Sequence, residues 1–282
     1  MGTIGRLLYD NVLSRAVDYT YSVAPIVGYE PINAWDWHDW SLFATELSGV
    51  STLDFELPAG TEWDSWAIYA VPFDLTNYPD EALIGLSLIG SAIIGQTSGT
   101  CVIDLQKETS PGSGIYTTID TVFFQSTRAL YYKPDMQNTH NGEKLRLRFT
   151  NGSASQLYIR EICVGKTLLM PLGQHAGIAP PSLVSGLVIT NTMSTNGSYL
   201  GRQTRRTVKR AEIMMEPVSV EWVRTNWNPL ALHMAKYAAF WIWDYYDFPD
   251  DLAFVVATDI PPPENIRPGG KMKFNMPLAV IT

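Results

Sequence analysis

The residue types best suited to chemistry gather near the front of the chain, in the stretch NAWDWHDWSLF from Asn33 to Phe43. Asp36, His38 and Asp39 offer oxygen and nitrogen donors, and positions 36 and 38 would share one face of an extended segment. The same stretch carries Trp35, Trp37 and Trp40. Flat indole faces serve either as buried anchors or as platforms for sugar rings. The anchor is the simpler use, for these and for Trp63 and Trp66, and no metal is expected. The four histidines, His38, His140, His175 and His233, stand far apart. No zinc-ligand pair, phosphate-binding glycine loop or nucleophile elbow occurs. Glu62 and Asp64 are a carboxylate pair of the kind any such chain holds, whereas glycoside hydrolysis needs two carboxylates facing each other across a cleft. The acids of NYPDE, Asn77 to Glu81, lack the spacing of a calcium loop. No catalytic residue and no cofactor is expected, and the chain reads as a non-enzyme. Cys101 and Cys163 are too few for a disulfide framework and read as buried thiols.

Charge is unevenly placed. The net charge is −8, yet no Lys or Arg lies between Arg15 and Lys107, a gap that holds thirteen acids. Arg202, Arg205, Arg206, Lys209 and Arg210 crowd into one short ribbon. Clustered cations bind phosphates by releasing counterions, but the chain as a whole is acidic, so nucleic acid is a poor partner. Opposite faces that dock copies of the chain on one another fit better. Only 17% of residues are charged and 46% are hydrophobic, so part of the apolar surface is expected to be covered by a partner. The longest apolar run, Ala82 to Ile94, is too short to span a bilayer, and the N-terminus lacks the apolar stretch of a signal peptide.

The elements that position these residues read as strands. Leu53, Phe55 and Leu57 alternate with polar neighbours, as do Leu145, Leu147 and Phe149 with Lys144, Arg146 and Arg148. Asn151-Gly152 opens a turn, and Leu157 to Val164 returns. The pattern predicts a mainly β protein: an N-terminal antiparallel β-sandwich at 31–172 after an arm at 1–30, a Pro- and Gly-rich linker at 173–183, and a smaller β-barrel or sandwich at 184–282. In that last part TNGSYLGRQTRRTVKR reads as a polar loop. Asn228-Pro229 reads as the cap and first turn of its one helix, expected near Pro229 to Ala239.

Two passages carry a resemblance. LRLRFTNGSASQLYIREICVG, Leu145 to Gly165, is similar to the last strands of galactose-binding-like jelly rolls. PLALHMAKYAAFWIWDYYDFPDDLAFVVAT, Pro229 to Thr258, resembles a helix-then-strand passage of tail and baseplate proteins of long-tailed bacteriophages. The resemblance covers about two thirds of the chain. It implies a structural subunit of the distal tail, tail tip or baseplate, forming a homo-oligomeric ring beside tube, hub and baseplate proteins. It places the chain in the virion tail after assembly in the host cytoplasm. The alternative is a carbohydrate-binding module that contacts host surface glycans. No family sugar-site motif is found, so no ligand residue carries over.

Overall fold

A computed structural model describes residues 5–37, 41–46, 49–71, 101–124, 130–134, 136, 140–141, 144–152, 157–172, 179–183, 186–197, 199–206, 208–244, 248–267 and 270–281. The fold is mainly β, an antiparallel β-sandwich and a smaller β unit with one α-helix among the described residues. The chain divides into two compact units, Asp10–Thr167 and Met1–Tyr9 with Leu168–Thr282.

The sandwich has two antiparallel sheets. One runs Asp18–Tyr21, Gly49–Glu56, Lys144–Asn151, Cys101–Glu108, Tyr116–Phe124. The other runs Phe43–Ala44, Tyr158–Gly165, Ser65–Val71, Leu130–Lys133. Register converts alternation into a core. Leu147 lies opposite Leu53 on one side and Leu105 on the other, and Phe149 opposite Ile103. These side chains meet Trp66, Ile68, Ile159, Ile162 and Val164 of the second sheet in one fully buried cluster. The intervening polar residues, Asp54, Arg146 and Arg148, take the opposite face of the first sheet.

The second unit holds one seven-stranded antiparallel sheet, with Leu168–Leu169, Arg6–Leu8, Ala239–Asp244, Phe248–Ala257, Lys271–Ile281 and Lys209–Ser219 in order, and Glu264–Arg267 added beside Lys271–Ile281. The helix Val220–Met234 buries Val223, Trp227, Leu230 and Met234, a stripe at helical spacing. Trp222 stacks on Phe274 at 5.7 Å between ring centroids, and Trp227 packs on the same ring at 5.0 Å.

Three expectations need correction. The first thirty residues are not an arm. Arg6–Leu8 is an inner strand of the second unit, with Leu7 and Leu8 fully buried, while Val12, Leu13 and the edge strand Asp18–Tyr21 belong to the sandwich. The unit boundaries fall at Tyr9 and Thr167 rather than at 30 and 172. A short apolar run buried on both faces has no alternation to distinguish it from a helix turn. The helix begins earlier than expected. Ser219 caps it, its Oγ accepting from the Trp222 N–H at 3.2 Å, and Pro229 lies inside. The supposed polar loop contains a strand, Tyr199–Arg206, paired with Leu187–Met193. Of the linker only 179–183 is described, with a short 3-10 turn at Pro181–Leu183. Ala82 to Ile94 lies outside the described residues.

Candidate functional site

On the polar face of the five-stranded sheet lies an open hollow of about 220 Å³. The edge strand supplies Asp18, Tyr19 and Thr20, the next strand Asp54 and Glu56, and further strands Lys144 and Tyr116. Arg146 organises its floor. Its Nε and Nη2 donate to the two Asp54 carboxylate oxygens at 2.6 and 2.7 Å, and its guanidinium carbon sits 3.7 Å from the Tyr116 ring centroid. That fork fixes both partners, because a planar guanidinium matches a carboxylate with two parallel bonds and also stacks on an aromatic face. The bond to Asp54 holds the Arg146 pKa above its usual value. Burial, then the Asp54 charge, pushes the Tyr116 hydroxyl up, so it stays a neutral donor and acceptor. Tyr19 lies opposite Phe55 and its ring packs on Trp35, so that ring belongs to the core side of the sheet. The hollow thus combines one aromatic ring, that of Tyr116, with carboxylates and an amine, the mixture that holds a polyol: a ring face for C–H groups and polar atoms for hydroxyls. The alternation of Asp54 and Glu56, and of Lys144 and Arg146, signalled the face. Register was needed to bring the two strands and Tyr116 together.

Trp35 and Trp37 are not platforms. Trp35 is 4% exposed and packs edge-on against Phe55 and Tyr19, and Trp37 is 9% exposed. Trp63 and Trp66 are buried as well. A β-sandwich of this size gains more from burying an indole than from leaving it in water, so the anchor reading describes Trp35 and Trp37. Trp40 lies outside the described residues, as do His38 and Asp39.

Trp37 adopts a φ of 62°, unusual for a non-glycine residue. Its N–H donates to Oε2 of Glu161 at 2.9 Å, and Asn11 Nδ2 donates to Oε1 at 3.3 Å. Asn11 also bonds the Ile162 carbonyl and the Val164 N–H, which ties the chain entry to the second sheet. Glu161 is fully buried, and that burial, despite the Trp37 N–H bond, raises its pKa well above the usual carboxylate value. Because the folded state holds this proton more tightly than the unfolded chain does, Glu161 favours folding most below its unfolded pKa. That contribution is lost as pH rises toward the folded value. In Glu161→Gln the sandwich is therefore expected to lose part of its decline in stability between mildly acidic and neutral pH. Denaturant midpoints across that range measure it, and identical slopes for both proteins would refute the role.

No group of three potential metal ligands occurs among the described residues. Asp36 is occupied by the Ser41 hydroxyl, 2.9 Å from each oxygen. Asp64 accepts from the Ser65 hydroxyl and the Thr167 N–H, and Glu62 pairs with Lys166. His233 closes the helix C-terminus, its Nε2 2.8 Å from the Ala238 carbonyl. Residues 77–81 and His175 lie outside the described residues. Both cysteines are buried and free. Burial pushes the Cys101 thiol up to about 12 and the Cys163 thiol well above its usual value, so neither is a ready nucleophile.

The basic ribbon is divided by the fold. Arg202, Arg205 and Arg206 belong to the hairpin strand Tyr199–Arg206, whereas Lys209 and Arg210 open Lys209–Ser219 in the seven-stranded sheet. Arg202, Arg205 and Arg210 are exposed and Lys209 is half-buried.

No family model matches the chain, and no curated protein resembles it in sequence. Among solved structures it is similar to a GH29 fucosidase of Ruminococcus gnavus in complex with fucose, at 16% identity over 56% of this chain and 27% of that one, with a TM-score of 0.38. It is also similar to the CBM32 of AlyQ in complex with 4,5-unsaturated mannuronic acid, at 18% identity over 56% of this chain and 96% of that one, with a TM-score of 0.36. A third is chitosan-binding module 1 of a chitosanase/glucanase from Paenibacillus sp. IK-5, at 13% identity, 55% and 98% coverage and a TM-score of 0.38. The chain spans about a quarter of the length of the fucosidase.

Proposed function

We propose that the chain is a non-catalytic carbohydrate-binding protein that takes a sugar in the hollow beside Tyr116. The observation that carries this reading is the hollow itself: Tyr116 flanked by Asp18, Glu56 and Lys144, on a floor fixed by the Arg146–Asp54 fork. Its volume suits one sugar ring. The sugars named with the similar structures, fucose, unsaturated mannuronic acid and chitosan fragments, supply the first probes, followed by a broad glycan array. Titration calorimetry should detect binding to at least one glycan. Tyr116→Ala should weaken it at least about tenfold, near 1.4 kcal/mol, with the sandwich still folded. Silence across the array, or full affinity in Tyr116→Ala, would sink the reading.

A second reading is favoured by a different observation, the exposed hairpin Leu187–Met193 with Tyr199–Arg206. Here the chain is a structural subunit of a bacteriophage tail tip or baseplate, resident in the virion tail and assembled in the host cytoplasm. The resemblance of residues 229–258 supports it. The two readings are compatible, since a particle can mount a glycan-binding sandwich on an assembled base.

A further inference from the structure

The hairpin has no neighbour in its own sheet: Leu187–Met193 and Tyr199–Arg206 pair only with each other among the described residues. Every residue of Leu187–Met193 is exposed. Residues opposite one another across an antiparallel pair share a face. Ile189 opposite Thr204 therefore lies on one face and Val188 opposite Arg205 on the other, and both aliphatic side chains are about half in water. Tyr199 and Leu200, next to the turn, are 60% and 64% exposed. A lone two-stranded hairpin with apolar residues on both faces is marginal in water and exposes the kind of surface that marks an interaction site.

Charge identifies the occupant. No Asp or Glu occurs between Glu161 and Glu212, so the hairpin carries only positive charge, from Arg202, Arg205 and Arg206. The sandwich is its opposite. Residues 10–167 hold nine Lys and Arg against nineteen Asp and Glu, a net −10. That unit also exposes Val17 (70%) and Val27 (92%), near Asp18 and Glu30 in the sequence. Exposed apolar side chains beside cations in the hairpin are complementary to exposed apolar side chains beside acids in the sandwich. We infer that the hairpin of one chain docks on the acidic sandwich of a second copy. Such a contact is head-to-tail, so it propagates into a closed ring or an open chain according to the rotation between copies. The attraction between the faces orients docking and weakens as salt screens it. This gives the assembly reading its partner, and does not rest on the glycan reading.

The test is the mass of the full-length chain in solution by light scattering, at low and high salt, with Arg202→Glu/Arg205→Glu for comparison. Wild-type protein is expected to reach multiples of its 31.5 kDa at low salt and to fall toward monomer at high salt. The variant is expected to stay monomeric with an unchanged circular dichroism spectrum. It still offers an intact acidic sandwich, so an excess of it added to wild-type should cap each assembly and reduce it to dimers. Monomeric wild-type protein at low salt and high concentration would overturn the inference. So would wild-type assemblies that ignore the excess variant, which would place the hairpin against another hairpin. Capture of an oligonucleotide by wild-type protein with no self-association would assign the arginines to nucleic acid instead. Tyr116→Ala should assemble normally, so loss of glycan binding and loss of assembly are separable.

Discussion

Replacing Trp66 by alanine is expected to destabilise the sandwich by about 3–5 kcal/mol, the range for truncating a large buried aromatic. Trp66 is fully buried in the strand Ser65–Val71, with Tyr132 and Cys163 flanking that strand on either side. Its ring meets Tyr131 edge-on at 5.4 Å between centroids. Its Nε1 donates to Asp120 Oδ2 at 2.7 Å, and the Tyr131 hydroxyl donates to the same oxygen at 2.6 Å. Trp66→Phe keeps an aromatic in place and removes one of these bonds. Hydrogen bonds to a charged group are worth about 1.5–3 kcal/mol, so this variant should lose a good part of the full effect. Urea unfolding followed by circular dichroism reads both. An unchanged midpoint in Trp66→Ala would mean that the sheets do not close over this residue.

Much of this core was legible in the sequence. Leu53 and Phe55, and Leu145, Leu147 and Phe149, announce their faces because one side of each strand is wet and the other dry. The elements that were not legible share a physical cause. Arg6–Leu8 pairs with Ala239–Asp244, more than two hundred residues away, and no local pattern encodes so distant a partner. Tyr199–Arg206 looks like a loop because, among the described residues, it pairs only with Leu187–Met193, so neither face needs to be apolar. Asn228-Pro229 imitates a helix start. The true cap is Ser219, set between Val218 and Val220, β-branched residues that locally favour a strand. The hollow was hidden for a related reason. Asp54, Arg146 and Tyr116 are far apart in sequence, and only the registers Arg146 opposite Asp54, Arg146 opposite Gln106 and Glu108 opposite Tyr116 bring their strands together. Trp35 and Trp37, by contrast, stand out by composition, and both are buried.

In the second unit Trp241→Ala should cost a similar 3–5 kcal/mol, but the phenylalanine variant separates it from Trp66. Trp241 lies on the inner strand Ala239–Asp244, opposite Leu7 on one side and Ala253 on the other, with no exposed surface. Its Nε1 is buried without a hydrogen-bond partner among the described residues. A buried donor left unpaired costs about 1–3 kcal/mol relative to its hydrated state in the unfolded chain. Trp241→Phe removes that donor along with some packing volume, and the two changes oppose each other. The expected loss is therefore well below that of Trp66→Phe, where the donor removed is a satisfied one. Phe240→Ala, whose ring lies 4.9 Å from Phe254 and is fully buried, carries no polar contribution and should show the cost of packing alone. Equal losses in Trp66→Phe and Trp241→Phe would show that the Trp241 indole is in fact satisfied. A loss in Trp241→Phe as large as in Trp241→Ala would mean that the cluster around it cannot close over even a small void.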